Sequence, residues 1–162
     1  MATTTNSAKV TLPTDTQILI TREFDAPKHL VWKAYTTPDL IARWWGGSHG
    51  KVTSAEVDLR VGGSWRYVLV TSGEEPFEVA FHGEFREISA PDRLVNTEIY
   101  EGAPEGMGVV TTTLAEADGR TTLTQLCDYG DKTVRDAVIE SGMEGGMQES
   151  MDELEQVAVS LR

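Results

Sequence analysis

Cysteine is almost missing from this chain: Cys127 is the single one in 162 residues. No intrachain disulfide can form, which suits a reducing, cytoplasmic location. Clustered metal ligands are missing as well. The three histidines, His29, His49 and His82, stand far apart, with none of the short spacings that hold a metal ion. Positive charge is scarce, with 14 Lys and Arg against 26 Asp and Glu and a net charge of −12. Such a surface repels phosphate backbones and anionic membranes, so nucleic acid is not an expected partner. The plain reading of the acidity is solubility. No apolar run is long enough to span a bilayer, and no membrane insertion is expected. Met1–Thr16 lacks the apolar centre of a signal peptide and reads as a mobile tail ahead of a single domain over residues 17–162. A Ser-His-Asp set, a phosphate loop and a dinucleotide fingerprint are all missing, so no cofactor is expected.

What is present is a long series of strand signals. Candidate strands are Gln17–Phe24, Lys51–Leu59, Gly63–Thr71, Phe77–Ile88, Arg93–Glu101, Gly108–Glu116 and Thr121–Asp128. Turn-forming segments such as Val61-Gly62-Gly63, Ala90-Pro91-Asp92 and Asp118-Gly119 separate them. Successive strands this close, with no helix between, predict an antiparallel meander. After the first strand, Asp25-Ala26-Pro27 reads as a helix start, with Asp25 as cap. Two short helices follow and end at Trp44-Trp45-Gly46-Gly47. Adjacent tryptophans cannot both point into one core. One is expected under the short helices and the other at a pocket entrance.

Beyond Asp131, a plausible N-cap, the period changes. Ile139, Met143, Met147, Met151, Leu154, Ala158 and Leu161 recur at spacings of three and four, which predicts one long helix with an apolar stripe. Glu140, Glu144, Glu149, Asp152, Glu153 and Glu155 are assigned to its opposite face or flanks. The expected class is α+β: a curved antiparallel sheet wrapped around a long C-terminal helix, with two short helices after the first strand.

Several segments in order resemble a known family. They are Arg22-Glu23-Phe24-Asp25-Ala26-Pro27, Val31-Trp32-Lys33-Ala34-Tyr35, Pro38-Asp39-Leu40, Trp44-Trp45-Gly46, His82-Gly83-Glu84 and Pro91-Asp92-Arg93-Leu94-Val95. Thr121-Thr122-Leu123-Thr124, Gly146-Met147 and Asp152-Glu153-Leu154 complete the set. Together they resemble the SRPBCC superfamily, in the branch of homologues of the activator of heat-shock-protein-90 ATPase. The resemblance implies the helix-grip, START-like or Bet v-like fold, with an internal pocket for hydrophobic small molecules. Lipid carriers, hormone receptors and polyketide cyclases share that scaffold, so the fold does not fix the activity. Many relatives carry Gly-Trp where this chain has Gly146-Met147, a change that would reshape one pocket wall.

Strand parity puts Trp65, Tyr67 and Leu69 on one face, and that face is assigned to the cavity, where pocket wall and ordinary core are continuous. Met143, Met147 and Met151 suit either a permissive pocket or plain packing. Trp45, Tyr100, Gln125 and Cys127 complete the candidate ligand-binding set, together with His82. His82 and Glu84, on one face of a strand, are candidates for acid–base work, with Tyr67 as a third. Solvent-facing strand positions would look the same. The loop Glu101–Met107 suits a lid or a plain hairpin. The leading expectation is a binding protein for a hydrophobic small molecule, aromatic ones among the candidates. A polyketide cyclase or hydratase-like enzyme using the same cavity is the first alternative, and an acidic protein-interaction module the second.

Overall fold

Burial alternates residue by residue along Gln17–Phe24: Ile18, Ile20, Arg22 and Phe24 are covered, and their neighbours are not. That alternation marks a strand with one face on a core. A computed structural model, which describes residues 6–162, shows the same pattern across one sheet. The order along the chain is β1 (Lys9–Thr11), β2 (Gln17–Phe24), α1 (Lys28–Thr36), α2 (Pro38–Trp44) and a 3₁₀ turn at Gly47–His49. Then come β3 (Gly50–Val57), β4 (Ser64–Thr71), β5 (Glu78–Ser89), β6 (Arg93–Tyr100), β7 (Met107–Ala117) and β8 (Arg120–Asp128). Two helices close the chain, α3 (Lys132–Glu140) and α4 (Met143–Ser160). The sheet runs β1-β2-β8-β7-β6-β5-β4-β3, antiparallel throughout. The expected α+β helix-grip architecture is present. Among the described residues no helix is long and apolar enough to cross a membrane.

The main core lies at one end of the sheet. Ile18, Ile20 and Phe24 of β2, Val110 and Leu114 of β7, and Leu123 of β8 pack with Val31, Ile41, Met151, Leu154 and Val157. A smaller core of Trp65, Phe85 and Leu94 sits under β4, β5 and β6. The second half of α4 is therefore held tightly. Its first half, with Met143 and Met147, is only partly covered.

Four local expectations need correction. The expected mobile tail to Thr16 pairs with the sheet from Lys9, because tertiary contacts hold a segment with little strand signal of its own. Gln148 Nε2 donates to the Ala8 carbonyl at 2.7 Å, and the Ala8 N–H donates back to Gln148 Oε1 at 2.9 Å. Residues 1–5 of that tail lie outside the described residues. The expected single C-terminal helix is two helices, broken where Gly142 takes a left-handed φ of 81°. Ile139 consequently leaves the apolar stripe and is exposed. Asp25 caps no helix: its carboxylate pairs with Arg120 at 2.6 Å, and Pro27 takes the cap position. Glu116 of β7 receives the Lys28 N–H at 2.6 Å instead. Asp131, by contrast, accepts from the Thr133 and Val134 N–H groups as a cap should.

Glu155 is the fourth correction. It is only 3% exposed, because Arg22 of β2 is buried opposite it. The Arg22 guanidinium reaches Asp152 at 2.7 Å, Glu155 at 3.4 Å and the Glu23 carbonyl at 2.6 Å, and lies over the Phe24 ring. Glu155 also accepts from the Asp25 N–H and from Asn6, each at 2.8 Å. Removing one partner of such a buried pair strands the other charge. Arg22→Met should therefore lower unfolding stability by about 3 kcal/mol. Urea denaturation checks this, and a loss within experimental error would show that the network contributes nothing.

Candidate functional site

Trp44 and Trp45 go to different places. Trp44 is buried, stacks on Tyr35 at 5.7 Å and donates its indole N–H to the Ala34 carbonyl at 2.9 Å. Trp45 is half-buried and meets Tyr67 and Phe81 edge-on at 5.5 and 5.6 Å. Phe81 contacts Tyr100 at 5.1 Å, and Trp65 contacts Tyr67 at 4.7 Å. These rings share one face because β4 pairs Tyr67 with Phe81, and β5 pairs Phe81 with Tyr100. The result is a run of aromatic rings from the end of α2 across β4, β5 and β6.

Deeper along the same face the chemistry turns polar. Gln125 Nε2 donates to the Tyr35 hydroxyl at 2.8 Å and lies 3.3 Å from Thr112 Oγ1. Tyr35 and Thr112 hydroxyls are 3.3 Å apart. Burial pushes the Tyr35 phenol up to about 12 and the Cys127 thiol up to about 12. Tyr67 and Tyr129 move up further for the same reason. Glu98 of β6 faces this group, and burial raises its carboxyl to about 7. Tyr35, Tyr67, Glu98, Gln125 and Tyr129 all retain some uncovered surface.

Other candidates from the sequence lie elsewhere. His82 pairs with Arg66 across β4 and β5, on the face opposite Trp65 and Tyr67. Its Nδ1 lies 2.9 Å from Glu101, which also receives Arg66 through two bonds of 2.9 and 3.0 Å. Hydrogen bonds from Arg66 and then His82 hold the Glu101 carboxyl down at about 2. Glu84, with the same strand parity, is exposed. His82 and Glu84 thus do not join the inner set, because alternation sends them outward. His82 borders instead an open depression of about 530 Å³, lined also by Glu56, Ser64, Arg66, Glu101 and Pro104. Glu101 anchors the start of the Glu101–Met107 loop, which the sequence offers as a lid or a plain hairpin. Trp65 is packed in the smaller core, its indole N–H donating to the Thr97 carbonyl at 3.1 Å. Met151 is core, while Met143 and Met147 lie at the core edge.

The inner residues that sequence reasoning missed are Glu98, Tyr35, Thr112, Phe81 and Tyr129. For Glu98 a signal existed. It stands two positions before Tyr100 in one strand, so parity alone puts a carboxyl beside the aromatics.

The sequence profile of the family described as Activator of Hsp90 ATPase homolog 1-like protein matches residues 25–158. The chain belongs to this family. No curated protein matches it in sequence. A crystal structure of a Rhodobacter sphaeroides protein is 27% identical, with a TM-score of 0.86 over 94% of this chain and 99% of that one. An Arthrobacter aurescens protein solved by NMR is 26% identical, with a TM-score of 0.82 over 94% and 91%. An AHSA1-like protein from Aeromonas hydrophila, 24% identical, has the same fold, with a TM-score of 0.66 over 88% and 93%. The family is the one that the sequence motifs resemble, in the SRPBCC superfamily.

Within this helix-grip frame Glu98 has a measurable effect on stability. Its folded-state value, about 7, lies above the ordinary 4.5, so the native state resists ionisation. The native state is favoured most below the ordinary value, and that advantage is lost as pH rises through 7. Glu98→Gln should be more stable than wild type near pH ~8 by up to about 3 kcal/mol, and equal to it near pH ~4. Denaturant titrations at both pH values check this. Equal stability at the higher pH would mean that the carboxylate is well solvated.

Proposed function

We propose that this chain binds a hydrophobic small molecule, aromatic ones included, between the inner face of the sheet and the first half of α4. The observation that carries the reading is a combination found at Tyr35, Tyr67, Glu98 and Tyr129. Burial dominates their titration, yet each keeps uncovered surface. Groups packed tight on every side would be fully covered, and groups on the outer surface would not be so strongly desolvated. Both facts fit side chains that line an internal space. The helix supports the same reading, since Met143 and Met147 are adaptable side chains that stay only partly covered at the core edge. Of the candidates read from sequence, Trp45, Tyr67, Tyr100, Gln125, Met143 and Met147 are the ones this reading uses as wall or rim, with Cys127 at the base. Trp65 and Met151 support that wall from the packed cores.

A cyclase-like reaction through His82 loses its main support, because the imidazole is on the other face and bound to Glu101. Binding without turnover is therefore the preferred reading. The test uses N-phenyl-1-naphthylamine, an apolar fluorophore that is neutral near pH ~7. Wild type should bind it with enhanced fluorescence. Met147→Trp should bind about tenfold more weakly, since the larger ring fills the space, with an unchanged circular dichroism spectrum. If wild type shows no binding, the cavity reading fails and an acidic interaction surface becomes the better account.

A further inference from the structure

Glu98 occupies a setting built around it. In β7 its partner is Gly108. In β5 the pairs His82–Ile99 and Phe85–Asn96 put Gly83 opposite it. A carboxyl side chain thus stands between two residues that have none. The freed places are taken by neighbours. A Cβ at Gly83 would run into the Thr97 carbonyl and lie 2.6 Å from the Trp65 Nε1, and one at Gly108 would lie 2.9 Å from a Tyr129 ring carbon. Tyr67 and Tyr35 also face the carboxyl, from β4 and α1, as does the Cys127 thiol from β8.

Every one of these neighbours is uncharged at neutral pH. Burial is what shifts the Glu98 carboxyl, and among the described residues neither hydrogen bond nor ion pair holds it. The basic groups nearest in the sheet, Arg66 and His82, are turned outward and bound to Glu101. A carboxyl with no partner among the described residues, set beside aromatic side chains, lacks one thing, a positive charge on an apolar body. Such a group would meet the carboxylate through a charge-assisted hydrogen bond and the rings through cation–π contact.

We propose that the ligand of this cavity carries a protonated amine, and that Glu98, between Gly83 and Gly108, is the residue that selects it. The inference rests on the cavity reading above. It makes the ligand class an aryl- or alkyl-ammonium compound and separates it from neutral lipids and from carboxylates. Binding would draw the carboxyl into its ionised form and release its proton to solvent when it was protonated beforehand. Affinity for the amine should therefore rise with pH through the range in which Glu98 titrates, while the amine itself stays protonated.

The experiment compares three probes of one size, 1-naphthylmethylamine, 1-naphthylmethanol and 1-methylnaphthalene, by titration calorimetry on wild type and Glu98→Gln. Wild type should favour the amine over both neutral probes by about tenfold or more near pH ~8, and by less near pH ~6. Glu98→Gln should lose that preference and its pH dependence while still binding 1-methylnaphthalene. If wild type binds the methyl or the alcohol probe as well as the amine, or if Glu98→Gln keeps the preference, the inference is wrong and the cavity reading stands. If no probe binds a folded wild type, both fall together.

Discussion

The buried Arg22 guanidinium decides where α4 can lie. It is anchored in β2 and takes Asp152 and Glu155 from two successive turns of the helix. A cation with no access to water must keep its carboxylates, so this part of α4 cannot move away from the sheet. Asn6, ahead of β1, and the Asp25 N–H, just after β2, tie into the same carboxylate of Glu155. Leu154, Val157 and Ala158 are buried in the same core as Ile18 and Ile20 of β2 and Leu123 of β8. The first half of the helix is held without a buried charge, through Gln148 on the Ala8 backbone and Glu149 on Ser48. There the chain offers Gly142, Gly145 and Gly146, and two flexible methionines. The second half of α4 shares its core with β2, β7 and β8, while Trp45, Tyr67 and Phe81 meet on the inner face of β4 and β5.

That asymmetry divides the interior by chemistry. Beneath the clamp the core is aliphatic: Ile18, Ile20, Leu123, Leu154. Beyond it the wall is aromatic and polar: Trp45, Tyr67, Phe81, Tyr35, Gln125. Aliphatic chains fill space efficiently and support stability. Phenols and amides need hydrogen-bond partners when buried, and they fix orientation when a ligand supplies some of them. The outer face has a third character, with Arg66, Glu101 and His82 in a solvated network over the open depression. Screening by solvent leaves such a network little influence on stability.

Much of the fold was legible because local and global signals agreed. Turns at Val61-Gly62-Gly63 and Asp118-Gly119 separate strands whose observed bounds lie within a few residues of expectation. Where a tertiary partner overrides the local signal, reading failed. Lys9–Thr11 is too short to read as a strand alone and becomes one by pairing with β2. Asp25 has the right position for a cap, but Arg120 claims its side chain. Glu155 sits among acidic residues and is buried only because Arg22 faces it across 133 positions of sequence. At the site, parity placed Trp65 and Tyr67 correctly on one face. It could not say which would be packed and which partly uncovered. For His82, parity within β5 leaves its face relative to Trp65 open, since that needs the register of β4 on β5.

Glu98 separates selection for folding from selection for a task. A polar residue kept in a core for stability has partners, as Asn96, Thr121 and Arg135 do here. Among the described residues Glu98 has none, and its burial disfavours the ionised form in the folded state. Glutamine or leucine in its place would remove that penalty without changing the strand. The flanking glycines keep the row packable, since a Cβ at Gly83 would run into the Thr97 carbonyl and Trp65, and one at Gly108 into the Tyr129 ring. The carboxyl between them is the one member of the row that its own chain leaves without a partner among the described residues. A buried carboxyl of that kind is the pattern expected of a site, in which the missing interaction comes from outside the chain.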